Sequence, residues 1–225
     1  MAEEAESSAV IFDVDGVLLE LTAPEEDAFF LAFEQRYGIT GLSRDWDSYR
    51  IRNDAHIIAE ILESRGLPAE DADLIVKDYL AILSEGIAEG RIVTQSVQGA
   101  HALIRSLGDT SIIGIATANL LAAAKLRLLS QNLWQPVSRL AFGAEGSSHK
   151  SETVAHAIAA TGLSKHRIVY IGDNLNDVEA GLSNGVHFIG FSTDPARLEK
   201  LKAAGATYLS GDHDTTRALI HGLLK

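Results

Sequence analysis

Residues 10–18, V-I-F-D-V-D-G-V-L, are typical of a short buried β-strand that ends in two aspartates and a glycine. The apolar residues 10–12 are followed by Asp13 and Asp15, one residue apart. On an extended strand both carboxylates point to the same side, because side chains alternate with a period of two. Two ionised carboxylates side by side repel, so a buried pair stays charged only beside a compensating positive charge. Asp and Gly are also common in polar turns, which leaves a functional interpretation and a plain turn interpretation open.

The composition is that of an ordinary globular protein with an excess of acidic residues. The chain has 225 residues, of which 46% are hydrophobic and 22% are charged, enough to bury a substantial core. Its net charge of −12 argues against nucleic-acid binding, which needs concentrated basic surface. The chain contains no cysteine, and this excludes disulfides, thiolate metal sites and a cysteine nucleophile.

The first eight residues are small and acidic. They lack the basic and apolar regions of a signal peptide, so we predict a flexible tail at 1–8. No apolar run approaches the roughly 18 residues that a membrane span requires. We therefore expect a cytoplasmic protein that binds neither nucleic acid nor membranes, and we leave open whether it is a monomer or a homodimer.

Residues 21–90 show helical periodicity and almost no strand signal. Their apolar side chains recur three or four positions apart in three stripes, Phe29, Phe30, Phe33 and Tyr37, then Ile57, Ile58, Ile61 and Leu62, then Ile75, Val76, Tyr79, Leu80 and Leu83. Gly66 and Pro68 indicate where the second helix ends. This pattern predicts a small all-helical domain at 21–90, inserted into a core formed by residues 9–20 and 91–225.

Outside this insertion, apolar strands alternate with helices. Strands are predicted at residues 10–12, 112–116, 140–142, 168–171, 186–189 and 207–209. The alternation is typical of βαβ units, whose parallel sheet is covered by helices on both faces. The predicted fold class is therefore α/β, a Rossmann-like parallel sheet with a small helical cap domain.

Polar side chains follow four of these predicted strands. They are Asp13 and Asp15 after the first strand, Thr117 after the second, Lys150 beyond the third, and Asp173 and Asp177 after the fourth. The carboxyl ends of parallel strands lie at one edge of a sheet, where ligands bind. Carboxylates suit Mg²⁺, while a lysine, a hydroxyl and loop N–H groups suit phosphate oxygens. The sequence therefore predicts a site for Mg²⁺ and a phosphate group.

Four segments of the chain, D-V-D-G-V, I-A-T-A-N, the lysine within S-S-H-K-S, and G-D-N-L-N-D, resemble the four motifs of the haloacid dehalogenase-like superfamily. Each segment alone is a weak signal, but their order is specific and the resemblance covers nearly the whole chain. With a helical insertion after the first motif, the chain is similar to the phosphoglycolate phosphatase-like subgroup. The resemblance implies a Mg²⁺-dependent phosphatase that hydrolyses a small phosphorylated metabolite through an aspartyl-phosphate, under a closing cap.

The resemblance also implies a role for each motif residue of this sequence. Asp13 would be the nucleophile, and Asp15 would be the general acid and then the general base. The implied metal ligands are Asp13, Asp15 through its main-chain carbonyl, Asp173 and, beside or behind them, Asp177. The implied phosphoryl-binding residues are Thr117, Ala118, Asn119 and Lys150. Asp177 has a second interpretation, because an acidic residue is also favourable in the first turn of a helix.

Two motifs depart from the pattern of the superfamily. Lys150 lacks the glycine before it and the proline after it that many relatives show, so its position is left open. Ala118 follows Thr117 where asparagine or serine is frequent, and Asn119 is displaced by one. On the cap, we expect three polar side chains to face the substrate, namely Arg50, Arg52 and His56.

The motifs do not fit other activities of the superfamily equally well. A dehalogenase attacks carbon and needs no metal-binding carboxylates, and a phosphonatase needs a cap lysine where this chain has only Lys77. A phosphomutase shares all four motifs and stays open as the alternative. A receiver-like binding module would carry its acceptor aspartate after the third strand, where this chain has Phe142 and Gly143, and would be about half as long.

Overall fold

The computed structural model describes residues 8–108 and 110–225. Most of the predicted tail, residues 1–7, lies outside the described residues. Ser8, which the tail prediction includes, belongs instead to the first strand, where it is in register with Ser111 of a parallel neighbour.

The strands form one large sheet and one small one. In the described ranges there are eight, β1 (Ser8–Phe12), β2 (Leu19–Glu20), β3 (Gln95–Ser96), β4 (Ser111–Ala116), β5 (Ala141–Phe142), β6 (Ile168–Gly172), β7 (His187–Phe191) and β8 (Tyr208–Ser210). Six of them form a parallel sheet in the order β5-β4-β1-β6-β7-β8. The predicted α/β fold class is confirmed. The antiparallel pair β2–β3 was not predicted, because two-residue strands are too short to show a period.

Helices cover both faces of the large sheet. The described residues form ten, α1 (Ala23–Tyr37), α2 (Asp54–Ser64), α3 (Ala72–Ala88), α4 (Ala100–Leu107), α5 (Leu121–Ser130), α6 (Trp134–Val137), α7 (Lys150–Thr161), α8 (Leu175–Asn184), α9 (Pro195–Ala203) and α10 (His213–Leu223). Val10 and Phe12 of β1 pack in one hydrophobic cluster with residues of α4, α5 and α10. Ala9 and Ile11 pack in a second cluster with residues of α7, α8 and α9. The alternation of side chains along β1 thus builds two cores, and β1 is buried along its whole length.

The inserted residues form three helices with a core of their own. The predicted stripes of α1, α2 and α3 meet in a third hydrophobic cluster, centred on Phe29, Phe33, Ile57, Ile61 and Ile75. Leu120 and Ala123, at the start of α5, join this cluster, so the cap packs on the main domain. The strands β2 and β3 pair where the chain leaves and re-enters the sheet domain. The boundaries at 21 and 90 stay a prediction. Among the described residues, no helix is both long and apolar enough to cross a membrane.

Candidate active site

The site begins where β1 ends. Asp13 follows the last strand residue, and its N–H still donates to the carbonyl of Ile171 in β6, at 2.8 Å. Gly16 then turns the chain with a φ of 71°, a conformation that costs glycine little. A Cβ at this position would overlap the carboxylate of Asp173. The glycine therefore lets the loop after β1 lie directly against the end of β6.

Lys150 lies between two aspartates. It is the first residue of α7, and its buried Nζ is 2.7 Å from Asp13 Oδ1 and 3.2 Å from Asp177 Oδ1. Burial alone would lower the pKa of Lys150, but the two carboxylates raise it above its ordinary value. The two carboxylates therefore favour the ammonium form of Lys150, which lies beside the end of β1 despite its atypical neighbours in sequence.

Asp177 combines the two interpretations that the sequence left open. It forms a capping box with Asn174 at the start of α8, where its Oδ2 accepts from the N–H groups of Asp173, at 3.2 Å, and Asn174, at 3.0 Å. Its Oδ1 accepts from the hydroxyl of Tyr170 at 2.6 Å. The side chain is completely buried. Asp177 is thus a helix-capping residue that also lies beside Lys150.

Three carboxylates form a set that fits a divalent cation. Asp13, Asp173 and Asp177 can each offer one oxygen, and these oxygens lie within 4.8 Å of one another. Burial raises the pKa of Asp13 to about 8, against the lowering effect of Lys150, and it raises that of Asp173 to about 7. Neighbouring carboxylates add to both shifts. A bound cation would offset this repulsion, and hard oxygen donors suit Mg²⁺.

Asp13 and Asp15 line the same cavity but contact different partners, and that their carboxylates point to the same side stays a prediction. The strand ends at Phe12, so the period of two no longer holds at the second aspartate. Asp13 turns to Lys150, whereas Asp15 Oδ1 lies 2.6 Å from Nη2 of Arg127. The carboxylate of Asp15 is outside the acidic set, which leaves its main-chain carbonyl as the implied ligand.

Thr117, Ala118 and Asn119 follow β4 at the same edge of the sheet. Thr117 is buried, its N–H donates to Phe142 at 3.0 Å, and its Oγ1 accepts from the N–H of Asn119 at 3.2 Å. All three residues line one cavity together with Asp13 and Lys150.

This cavity has a volume of about 330 Å³ and lies between the sheet domain and the cap. Its floor includes the strand-end residues Asp13, Asp15, Thr117, Lys150 and Asp173. Its upper wall comes from the cap and includes Phe29, Trp46, Arg52, Asp54 and Tyr79. The volume is at the lower end of the range for ligand pockets, which favours a small ligand.

A family model described as haloacid dehalogenase-like hydrolase matches residues 10–191. The chain belongs to this family. The match covers all four motif segments, so the resemblance found in the sequence is confirmed.

Solved structures share the fold of this haloacid dehalogenase-like hydrolase. CbbY from Rhodobacter sphaeroides, in complex with phosphate, has a TM-score of 0.74 and 20% identity, covering 92% of this chain and 95% of that one. A hydrolase from Pseudomonas syringae has a TM-score of 0.71 and 17% identity, covering 97% and 100%. A predicted phosphatase from Clostridium acetobutylicum has a TM-score of 0.69 and 22% identity, covering 96% and 99%. A comparison with curated protein sequences gave no match.

Arg127 is a site residue of this hydrolase that sequence reasoning missed. It lies on α5, is buried, and places its Nε 2.8 Å from Oε1 of Glu25 in the cap, besides its contact with Asp15. Burial alone would lower the pKa of Arg127, but Asp15 and Glu25 raise it. An arginine is seldom buried without partners, so its position within the apolar run of α5 was the signal that could have revealed it.

The start of α2 contacts the motif loops of the sheet domain. Nδ2 of Asn53 donates to the carbonyls of Ala144 and Ser147, both at 3.2 Å. The N–H of Asp54 donates to the carbonyl of Ala118 at 3.0 Å, and the carboxylate of Asp54 accepts from Leu120 at 2.9 Å. Burial raises the pKa of Asp54 to about 7. Neither residue was predicted, since Asn and Asp before a helix are ordinary capping residues.

The three cap residues predicted to face the substrate have different positions. Arg52 lines the cavity and pairs with Asp47 at 2.7 Å. Arg50 is exposed, pairs with two glutamates of α2, and lines a separate cavity of about 130 Å³ that shares Arg52 and Lys150. His56 is not among the residues that line either cavity, and its Nδ1 lies 3.3 Å from Asn53 Oδ1. The structure brings Arg52, of these three, to the main cavity.

Proposed function

We propose that this haloacid dehalogenase-like hydrolase is a Mg²⁺-dependent phosphatase that cleaves a small phosphate monoester through an aspartyl-phosphate on Asp13. The observation that carries the proposal is that Asp13 and Lys150 lie 2.7 Å apart on the floor of a cavity between the sheet domain and the cap. A carboxylate nucleophile beside an ammonium group suits attack on an anionic phosphoryl group.

The acidic set gives this proposal its cofactor. Asp13, Asp173 and Asp177, with the main-chain carbonyl of Asp15 as the resemblance implies, would hold Mg²⁺. When bound, the ion would neutralise charge between the aspartates and the phosphate and polarise the phosphoryl oxygens.

The two oxygens of Asp13 are not equivalent. Its Oδ1 accepts from Nζ of Lys150 and, at 2.8 Å, from the N–H of Val14. Oδ2 has no hydrogen-bond donor among the described residues, and we assign the attack on phosphorus to it. The bond from Oδ2 to phosphorus forms while the bond from phosphorus to the alcohol oxygen breaks, giving the aspartyl-phosphate and the alcohol.

Asp15 would handle the protons of both steps. It would donate one to the departing alcohol oxygen and then take one from the water that attacks the aspartyl-phosphate, which releases phosphate and restores Asp13. Lys150, the hydroxyl of Thr117 and the N–H of Ala118 are the groups we assign to the phosphoryl oxygens.

Phosphate release from a panel of monoesters, with Mg²⁺ and with chelator, tests the proposal. We expect Mg²⁺-dependent turnover in the wild type and loss of at least about 99% of it in Asp13→Asn, because a neutral amide cannot form the acyl phosphate. An Asp13→Asn protein that has the wild-type circular dichroism and keeps its turnover would contradict the mechanism. Conversion of a substrate into its positional isomer, without phosphate release, would instead identify a phosphomutase.

A further inference from the structure

The positive charges that line the cavity are all paired with carboxylates of the protein. Lys150 contacts Asp13 and Asp177, and Arg127 contacts Asp15 and Glu25. The other two lining cations are Arg52, 2.7 Å from Asp47, and Arg197, 3.2 Å from Asp173. Of these four, only Arg52 belongs to the cap. Among the residues that line the cavity, the cation of the cap, Arg52, is thus already balanced by the carboxylate of Asp47.

Two carboxylates on the cap side of the cavity have no such partner. Asp54 and Glu26 both line the cavity, and no lysine, arginine or histidine nitrogen lies within 4 Å of either carboxylate in residues 8–108 and 110–225. Asp54 is 8% exposed. Its Oδ2 accepts from the N–H of Leu120, while Oδ1 has no donor in those residues. Oδ1 of Asp54 is not one of the buried side-chain atoms that lack a partner among the described residues. It is therefore open to the cavity and can accept a hydrogen bond from a ligand.

The two carboxylate oxygens of Glu26 also differ, because only one of them has a hydrogen-bond donor in the described part of the chain. Its Oε1 accepts from Nε1 of Trp46 at 2.7 Å, and Oε2 has no donor among the described residues. The cap also lines this cavity with apolar and aromatic side chains, namely Phe29, Ile57 and Tyr79. The upper part of the cavity therefore combines hydrogen-bond acceptors, negative charge and ring surface.

We propose that the alcohol part of the substrate carries no negative charge and offers hydroxyl or ammonium donors to Asp54 and Glu26, as a phosphorylated polyol or amino alcohol does. The inference rests on the proposed function and narrows it. It makes phosphoglycolate, the namesake substrate of the subgroup that the sequence resembles, a poor substrate of this chain. A bisphosphate would be disfavoured for the same reason.

Two matched pairs of esters test the charge preference. Glycerol 3-phosphate and 3-phosphoglycerate differ by a hydroxymethyl group against a carboxylate, and phosphoethanolamine and phosphoglycolate differ by an aminomethyl group against a carboxylate. In each pair we expect kcat/KM to be at least about tenfold higher for the ester without the carboxylate, because like charges in contact are strongly unfavourable in a partly desolvated site. The same four esters are also measured as competitors of a chromogenic aryl phosphate, so that each is ranked even when its turnover is slow.

Two variants locate the cause of the preference. Asp54→Asn and Glu26→Gln keep an oxygen for the bonds from Leu120 and Trp46 but remove the charge. In assays run above the pKa of Asp54, about 7, we expect each variant to reduce the ratio within a pair about threefold or more. Glu63→Gln is the matched control, since Glu63 lies on the same helix as Asp54 and its side chain is 69% exposed. It should leave the ratio unchanged.

The outcomes separate this inference from the proposed function. Hydrolysis of the aryl phosphate with equal or better use of the carboxylate esters overturns the inference alone. Ratios that neither Asp54→Asn nor Glu26→Gln reduces also overturn it. A wild-type protein that hydrolyses neither the aryl phosphate nor any of the four esters overturns the proposed function, and the charge preference falls with it.

Discussion

Nη2 of Arg127 lies 2.6 Å from Oδ1 of Asp15, and the same guanidinium contacts Glu25 of α1. Asp15 belongs to the loop after β1 and Glu25 to the cap. One buried cation therefore joins the residue we assign as general acid to the first cap helix, and it fixes the side on which the carboxylate of Asp15 lies. Arg127 is a positioning residue in this arrangement.

Replacing Arg127 by Met would leave Glu25, whose side chain is 1% exposed, as a buried carboxylate without its cation. We expect this variant to lose about 3–5 kcal/mol of unfolding free energy, the usual cost of breaking a buried pair by removing one partner. Urea unfolding measures it. Arg50→Met is the control, because Arg50 is 65% exposed and exposed ion pairs contribute only about 0–1 kcal/mol. Equal losses of unfolding free energy in the two variants would show that the buried pair contributes no more to stability than the exposed pairs.

Arg52 and Arg50 give a second matched comparison. Arg52 lines the main cavity and Arg50 does not. We expect Arg52→Ala to change the ranking of phosphate esters by kcat/KM, since a binding group near the reacting centre acts through substrate position. Arg50→Ala should leave the ranking as in the wild type. A change in ranking for Arg50→Ala, with none for Arg52→Ala, would show that Arg52 does not position the substrate.

The stability of the metal-free protein, measured in chelator, should fall as the pH rises. Burial raises the pKa of Asp13 to about 8 and that of Asp173 to about 7, whereas an unfolded aspartate titrates near about 3.9. Between these values the native state binds protons that the unfolded state has released. The free energy of unfolding therefore falls as pH rises from about 4 to about 8.

Thermal melts in chelator from about pH 5 to about pH 8 measure this loss. We expect added Mg²⁺ to restore stability most at the upper end of that range, where the ionised fraction of both carboxylates is largest and they bind metal best. Asp173→Asn should show a flatter profile in chelator. A melting temperature that rises steadily over this range without metal would contradict the arrangement of the acidic set.

Asp177→Asn is a case in which sequence and structure predict opposite signs. The sequence predicts that four aspartates lie at one edge of the sheet, namely Asp13, Asp15, Asp173 and Asp177. If all four carboxylates converged there, they would repel one another, and the substitution would raise the melting temperature of the metal-free protein. In the structure Asp177 accepts bonds from Tyr170, Asp173 and Asn174 and contacts Lys150. An amide would turn its own N–H groups toward some of these donors.

We therefore expect Asp177→Asn to destabilise the metal-free protein by about 1–3 kcal/mol, the cost of leaving buried groups unsatisfied. It should also weaken stabilisation by Mg²⁺, which grows with the ratio of ligand concentration to Kd. Melts of both proteins in chelator and across a Mg²⁺ titration measure the two effects. A higher melting temperature of Asp177→Asn than of the wild type in chelator would show that repulsion between the carboxylates outweighs the lost hydrogen bonds.

The sequence by itself determined the larger elements of the fold and the edge of the sheet that carries the site. Periodicity is a local property, so the stripes of α1, α2 and α3 and the apolar strands were visible without contacts. The parallel order then brought Asp13, Thr117 and Asp173 to one edge, because chain direction settles which strand ends lie together. Lys150 followed from the same rule, although its neighbours in sequence were atypical.

Only the tertiary structure decided where individual charges are directed. Arg127 meets Glu25 across 102 positions of the chain, and no local pattern encodes such a pair. The turn after Phe12 sends Asp13 and Asp15 to different partners, and two glutamates of α2 hold Arg50 on the exposed side of the cap. Side-chain direction at a loop or a cap depends on the surfaces that packing brings together, and these surfaces come from distant parts of the chain.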